Sequence, residues 1–289
     1  MARNILSEIR SAIASLNPQE VREAALRPVS IGLMASTREA FEAMEDFFST
    51  HSVSNERRLE AVSILHRVSD PDEYGQFDLM VVEEGLPLAT SNSFTFYEDD
   101  PVRTVREVLD ERNDLSLSLA RRFPPFRQEV TSRVISAVSR ENAMFSLATA
   151  LPNIVPGLSL PWAAGEFASD TTVLTANQIR MAFLLSAASD RDIGFREQRT
   201  EIASLIAGAF GWRSVARQLA GKIPLGGGLI PKAAIAYAGT WVVGISLDRL
   251  YRIGYHLTRA ERRAAYEEAY ERGRQVASAM MDAFRQKLP

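Results

Sequence analysis

The stretch from Asn142 to Gly165 carries no charged side chain, and no other feature of the chain restricts its folding as tightly. So long an apolar run has to be covered by protein or lipid. In length it suffices to cross a bilayer. It also holds Pro152, Asn153, Pro156 and Pro161, which interrupt a spanning helix and leave backbone groups without partners in hydrocarbon. A bent hydrophobic hairpin, buried or interfacial, is the expectation. A second uncharged run, Ala233 to Leu247, lies between Lys232 and Asp248. It is shorter than the roughly 20 residues of a spanning helix and has the length of a core helix. Ala236, Thr240 and Gly244 recur every four residues in it, a small-residue stripe that permits close helix approach.

The N-terminal third has another texture. Ile5, Ile9, Ala12, Ile13 and Leu16 fall at helical spacing, which predicts an amphipathic helix over 3–16, suited to docking on the fold, on a partner or on a membrane surface. Pro28 then precedes Val29 to Ala35, an apolar run of strand length. Ser36 with Glu39 reads as an S-x-x-E capping box opening a helix whose apolar face is Ala40, Phe41, Met44, Phe47 and Phe48. Leu59, Val62 and Leu65 predict a further helix over 55–67, Phe77 to Val82 a second strand, and Leu86 to Asp100 one more short strand. The strands at 29–35 and 77–82 should pair in parallel, because helical sequence lies between them.

From Pro101 onward the periodicity is helical throughout. Helices are expected from Pro101, at 126–150, 171–188, 195–219 and 232–254. A last helix is capped by Thr258 with Glu261 and carries Tyr266, Tyr270, Gly273, Val276, Met280 and Phe284 along one side. The expected fold is therefore α+β and mostly α. It comprises an N-terminal helix in 1–27, a small, degenerate Rossmann- or G-like α/β region in 28–100, and a helical domain with two hydrophobic hairpins in 101–289.

Composition narrows the chemistry. Cys is absent and His is limited to His51, His66 and His256, so thiolate chemistry and a histidine-built zinc centre are not expected. A net charge of −3 offers no field for a phosphodiester backbone, so nucleic acid is not an expected partner. Nearly all positive charge is arginine, the lysines being Lys222, Lys232 and Lys287. Charges scattered through the first residues leave no signal-peptide core, which makes the cytoplasm the expected compartment.

No motif supplies a reaction. A phosphate loop needs G-x-x-x-x-G-K-[ST] after a strand; Gly32 to Glu39 lacks the second glycine and the lysine, and Glu39 places a carboxylate where a phosphate would sit. Val81-Val82-Glu83-Glu84-Gly85 has the outline of a magnesium-binding strand end and reads as a solvated turn. G-x-S-x-G is missing. Asp70, Asp72, Glu73, Glu98, Asp99 and Asp100 cluster in loops without apolar surroundings that would shift a pKa. No catalytic residue, metal or cofactor is assigned.

Several segments between about 130 and 250 form an ordered series: Ser139 to Ala143, Leu151-Pro152, Leu174 to Gln178, Gly211-Trp212-Arg213 with Ala216 to Leu219, Lys222-Ile223-Pro224, and Ile230 to Ala233 followed by Ala236 to Thr240 and Gly244. This series resembles the helical domain-of-unknown-function family numbered 697. In that family the helical domain often follows, or is encoded with, a Ras-like GTPase domain, and some members are inner-membrane proteins. The resemblance implies no catalytic residue. It implies that the region at 29–97 is a vestigial G-like domain, without the P-loop and the guanine-reading N-K-x-D.

Within this series Asn177, Gln178, Arg213, Arg217, Lys222 and Lys232 form a candidate polar cluster. It has two readings: internal pairing, with Glu166, Asp170 or Asp248 taking the cations, or a polar interaction site that contacts an anionic membrane surface. The functional expectation is a non-enzymatic interaction or scaffold protein, peripheral at the cytoplasmic membrane and coupled to a partner protein. The alternative is a nucleotide-binding regulator with an unorthodox site.

Overall fold

The computed structural model describes residues 11–49, 59, 62–149, 170–208 and 228–286. Of these, residues 20–132 and 187–192 form one compact unit, and those before 20, in 133–186 and from 193 on form another. We call them the sheet unit and the helical unit. The expected division near residue 100 is one of texture, and every described strand does lie before it.

The sheet has four strands in the order β2-β1-β3-β4, namely β1 Ile31–Met34, β2 Leu65–Arg67, β3 Leu79–Glu83 and β4 Ser93–Phe96. All pairings are parallel. The expected one is present, Ile31 opposite Leu79 and Leu33 opposite Val81, flanked by β1 with β2 and β3 with β4. Strand β3 is buried on both faces from Leu79 to Val82, as a central parallel strand should be. On one face Val68, Met80 and Val82 gather Met34, Phe77 and Leu86. The fold class is α+β and mostly α.

The sheet unit holds most of α1 Pro18–Leu26, then α2 Arg38–Phe48, α3 Pro101–Glu111, α4 Ser116–Arg122 and the start of α5 Pro124–Ala148, with α1 and α5 crossing the divisions at residues 19 and 132. Pro101 starts α3 at its first turn, where a missing N–H costs nothing. Phe48 of α2 meets Phe123 edge to face at 5.2 Å and Phe126 of α5 at 6.0 Å. Arg122 donates to the end of α1, at Ala25 O and Leu26 O.

Two expectations in this unit are corrected. The helix over 55–67 gives way to a strand at its end: Leu65 lies opposite Ile31, so its apolar side chain belongs to a sheet rather than a helix face. The Ser36 and Glu39 capping box does not form. The N-cap of α2 is Thr37, whose Oγ1 accepts from Ala40 N at 3.1 Å.

The helical unit contains the later part of α5, then α6 Asp170–Ala188, α7 Leu229–Ile253 and α8 Arg259–Gln286. Residues 11–14 and 199–208 are also helical. Residues 15–16 and 195–198 of the expected helices at 3–16 and 195–219 are turn or irregular instead, and 3–10 and 209–219, like most of the uncharged span 142–165, lie outside the described residues. Gly254, at φ 81, closes α7 in the left-handed conformation that favours glycine. Thr258 then caps α8 as expected: Glu261 Oε2 accepts from Thr258 N at 2.8 Å, and Thr258 Oγ1 accepts from Glu261 N at 3.3 Å. The α7 and α8 pair closes over Ala233, Tyr237 and Ala277, with Val276, Met280 and Phe284 packed against them. The small-residue stripe of α7 faces inward. A Cβ on Gly244 would lie 2.7 Å from Ile135 Cγ1 and 3.2 Å from Met181 Sδ.

Candidate functional site

In open parallel sheets ligands bind beyond the carboxyl ends of the strands, where the strand order reverses. Here that point lies between β1 and β3. The chain leaves β1 at Met34 and enters α2 through Ala35-Ser36-Thr37, a loop whose N–H groups would face an anion. The protein fills that place itself. Glu83, at the end of β3, accepts from Ser36 N at 2.6 Å and from Ser36 Oγ at 2.7 Å. These two donors hold its carboxyl below the usual glutamate range. At the opposite end of the same strands, Asp78 accepts from Ser30 N at 2.8 Å and Ser30 Oγ at 2.9 Å. Each end of the β1 and β3 pair is thus pinned by one serine and one carboxylate.

Beside Glu83 lies a groove of about 220 Å³. It is lined by Ala40, Ala43 and Met44 of α2 with Phe96 of β4, of which Met44 and Phe96 are buried, and by the acidic Glu83, Glu84, Glu98 and Asp99. No lining residue is cationic. Of the neighbouring arginines, Arg38 Nε pairs with Glu42 at 2.7 Å and Arg103 Nε with Glu107 at 3.0 Å, with its guanidinium 3.8 Å over the Tyr97 ring, and Arg103 also attracts the Glu84 carboxylate. Glu98 and Asp99 are exposed, as the sequence predicts. Among the described residues no group of three His, Asp or Glu side chains that could hold a metal ion is assembled.

The sequence-predicted cluster divides. Asn177 and Gln178 do come together, inside the helical unit. Asn177 Nδ2 donates to Asn142 Oδ1 at 2.7 Å, and Asn142 Nδ2 donates to Thr240 Oγ1 at 2.7 Å. Thr240 Oγ1 donates to Ala236 O at 2.9 Å and accepts from Gln178 Nε2 at 3.4 Å. Asn142, Asn177 and Thr240 are buried, so these bonds satisfy groups that water does not reach. Internal pairing is the reading that holds for these two residues.

Lys232 is exposed and its Nζ lies 3.3 Å from Thr149 Oγ1. Asp248 Oδ2 pairs with Arg252, one turn away, at 3.0 Å. Arg213, Arg217 and Lys222 lie outside the described residues.

Two other polar ties escaped sequence reasoning. Buried Gln198 donates through Nε2 to Ala182 O at 2.8 Å and Tyr251 Oη at 3.1 Å, and its Oε1 accepts from Gly194 N at 3.3 Å. Glu141 on α5 pairs with Arg180 on α6, yet burial outweighs the guanidinium and pushes its carboxyl above the ordinary value. Gln198 sits in no motif, Glu141 lies in the Ser139 to Ala143 segment without a role assigned to it there, and only long-range packing defines what the two do.

One described helix, α7, is long and apolar enough to cross a membrane, and half of its most apolar stretch is buried inside the protein. No family model, curated protein or solved structure matches the chain.

Proposed function

We propose that the chain is a non-enzymatic interaction protein that couples to a partner protein, its sheet unit acting as a nucleotide-free, G-like module. The observation that carries this reading is the Glu83 carboxylate on the Ser36 N–H and hydroxyl. A phosphate bound there would have to displace an anion already held by two short hydrogen bonds, against the charge of Glu84, Glu98 and Asp99. The resemblance of 130–250 to family 697, with its Ras-like neighbours, is consistent with a degenerate G-like region. The proposed location is the cytoplasm, peripheral at the inner face of the membrane. It is supported by the apolar length of α7 and by exposed Ile253 and Tyr255 at its end.

A nucleotide-binding regulator is the second reading, and the β2-β1-β3-β4 order favours it, because this order creates a switch point where nucleotides bind in related topologies. Thermal melting with GTP, GDP and ATP plus magnesium separates the two. A ligand at a hundred times its Kd stabilises by about 2.7 kcal/mol. No shift is expected. A saturable shift lost in Ser36→Ala would replace the first reading with the second.

A further inference from the structure

The turn joining α7 to α8 carries more than a turn requires. Gly254 closes α7 in the left-handed conformation, and the cap of Thr258 with Glu261 opens α8, so nothing in the fold asks for apolar side chains beside the glycine. Yet Ile253 is 56% exposed and Tyr255 is 73% exposed, although a residue just past such a glycine frequently folds back on the last helical turn. The charge around them is one-sided. Residues 248–263 hold Arg249, Arg252, Arg259, Arg262 and Arg263 against Asp248 and Glu261, a net charge of +3 from five arginines and two carboxylates, in a chain whose total is −3. Both carboxylates are paired from within, Asp248 with Arg252 at 3.0 Å and Glu261 with Arg249 at 2.6 Å. Arg259 and Arg262 are exposed and make no ion pair among the described residues.

We infer that this turn docks on an anionic lipid surface, with Ile253 and Tyr255 entering the headgroup layer and Arg259 and Arg262 meeting lipid phosphates. The inference rests on the peripheral location proposed above and names the element that makes the contact. An aliphatic side chain gains by leaving water for the acyl boundary, and a tyrosine ring settles at headgroup level with its hydroxyl still hydrated. Arginine stems lie along the apolar layer while their planar heads reach the phosphates. Two apolar side chains bury little, and exposed charges are screened by salt, so stable binding takes both signals together. An acidic protein segment is a poorer occupant, because its carboxylates answer the arginines and give Ile253 and Tyr255 nothing apolar to enter.

The test is sedimentation of the full chain with vesicles of phosphatidylcholine alone and with about a third phosphatidylglycerol. Binding is expected to the anionic vesicles only, weakening as salt is added. Arg259→Gln with Arg262→Gln should weaken it about thirtyfold, at about fivefold for each basic side chain near such a surface. Ile253→Ser with Tyr255→Ser should weaken it about tenfold. All four positions are exposed, and an unchanged melting temperature without vesicles reports an intact fold. Because the chain has no cysteine, Tyr255→Cys places a single environment-sensitive fluorophore in the turn, and Ala283→Cys places one near the other end of α8. Anionic vesicles should blue-shift the first and leave the second unchanged. Equal binding to neutral vesicles would overturn the proposal. Binding of soluble poly-glutamate, with the label at 255 still aqueous on vesicles, would overturn it in favour of an acidic protein partner. Indifference of vesicle binding to either double variant would overturn the turn as the docking element and leave the peripheral location standing, whereas a chain that binds neither vesicle overturns both.

Discussion

The sheet unit and the helical unit each concentrate polar side chains, and the surroundings of the two sets differ. At the sheet, Glu83 and its acidic neighbours border solvent, so each hydrogen bond there competes with water and contributes modestly. In the helical unit Asn142, Asn177 and Thr240 are sealed off, so a lost partner exposes the full desolvation cost of the other. The same chemistry is therefore replaceable in one region and structural in the other. The accessible set is the one free to meet a partner.

Asn142→Leu should show the largest effect. It strands the Asn177 amide and removes the donor to Thr240 Oγ1; at about 1–3 kcal/mol for each buried group left unmet, urea unfolding should report a loss of about 3 kcal/mol. Thr240→Val removes the centre of the same network. In a double-mutant cycle the pair should cost less than the sum of the two singles. Strict additivity would mean that the network is not one unit, and the contrast with the sheet edge would fail.

Gly244→Ala comes next. The new methyl would meet Ile135, whose Cγ1 and Cγ2 lie 2.7 and 2.8 Å from its position, and a β-branched neighbour has little rotamer freedom to yield. Overpacking of about 1–3 kcal/mol, less about 1 kcal/mol of helix propensity gained, leaves a destabilisation of about 1–2 kcal/mol. An unchanged melting temperature would show that α7 can move away from α5.

Strands β1 and β3 were legible because apolar runs bounded by Pro28 and by polar sequence suit a sheet buried on both faces. Strand β2 was not, since three residues carry no period, and Leu65 continues by chance the helical spacing of Leu59 and Val62, which are themselves helical. Ser36 is adjacent to Thr37, and either can cap α2 locally. What decides between them is Glu83, far along the chain, and such a pairing leaves no trace in local spacing. Likewise Asn177 and Gln178 announced a need for internal partners, while Thr240, read only as a small residue in a stripe, gave no sign of being one. The groove combines residues from α2, β3, β4 and the loop after it, and is visible only when the sheet order is known.

The carboxylates sharpen the contrast through pH. Glu261, held by Arg249 and the Thr258 cap, is lowered to about 2, and Glu83 is lowered by Ser36. A lowered folded-state pKa stabilises above the ordinary glutamate value, and that stability is lost as pH falls through the folded pKa. Glu141 has the opposite sign: raised by burial, its contribution is present below the ordinary value and lost as pH rises through its own pKa. Carboxyl-carbon NMR should find Glu261 titrating lowest, Glu83 below the normal range and Glu141 above it. Glu141 titrating below a free glutamate would mean that Arg180 dominates burial and that this half-buried pair behaves like an exposed one.

The smallest effect is expected on the outer face of α8, where Arg263 Nε meets Glu267 at 3.0 Å with the two side chains 83% and 67% exposed. The bond is as short as several in the core, so distance alone would rank it beside them. Exposure reverses that ranking, because water solvates both ions when the pair opens, and holding two long side chains together costs rotamer freedom. Its orientation is also the weaker one, with the base preceding the acid by four residues. Arg263→Ala should therefore change unfolding free energy by less than about 0.5 kcal/mol. A loss comparable to that of Asn142→Leu would break the distinction between solvated and sealed polar pairs on which the comparison of the two units stands.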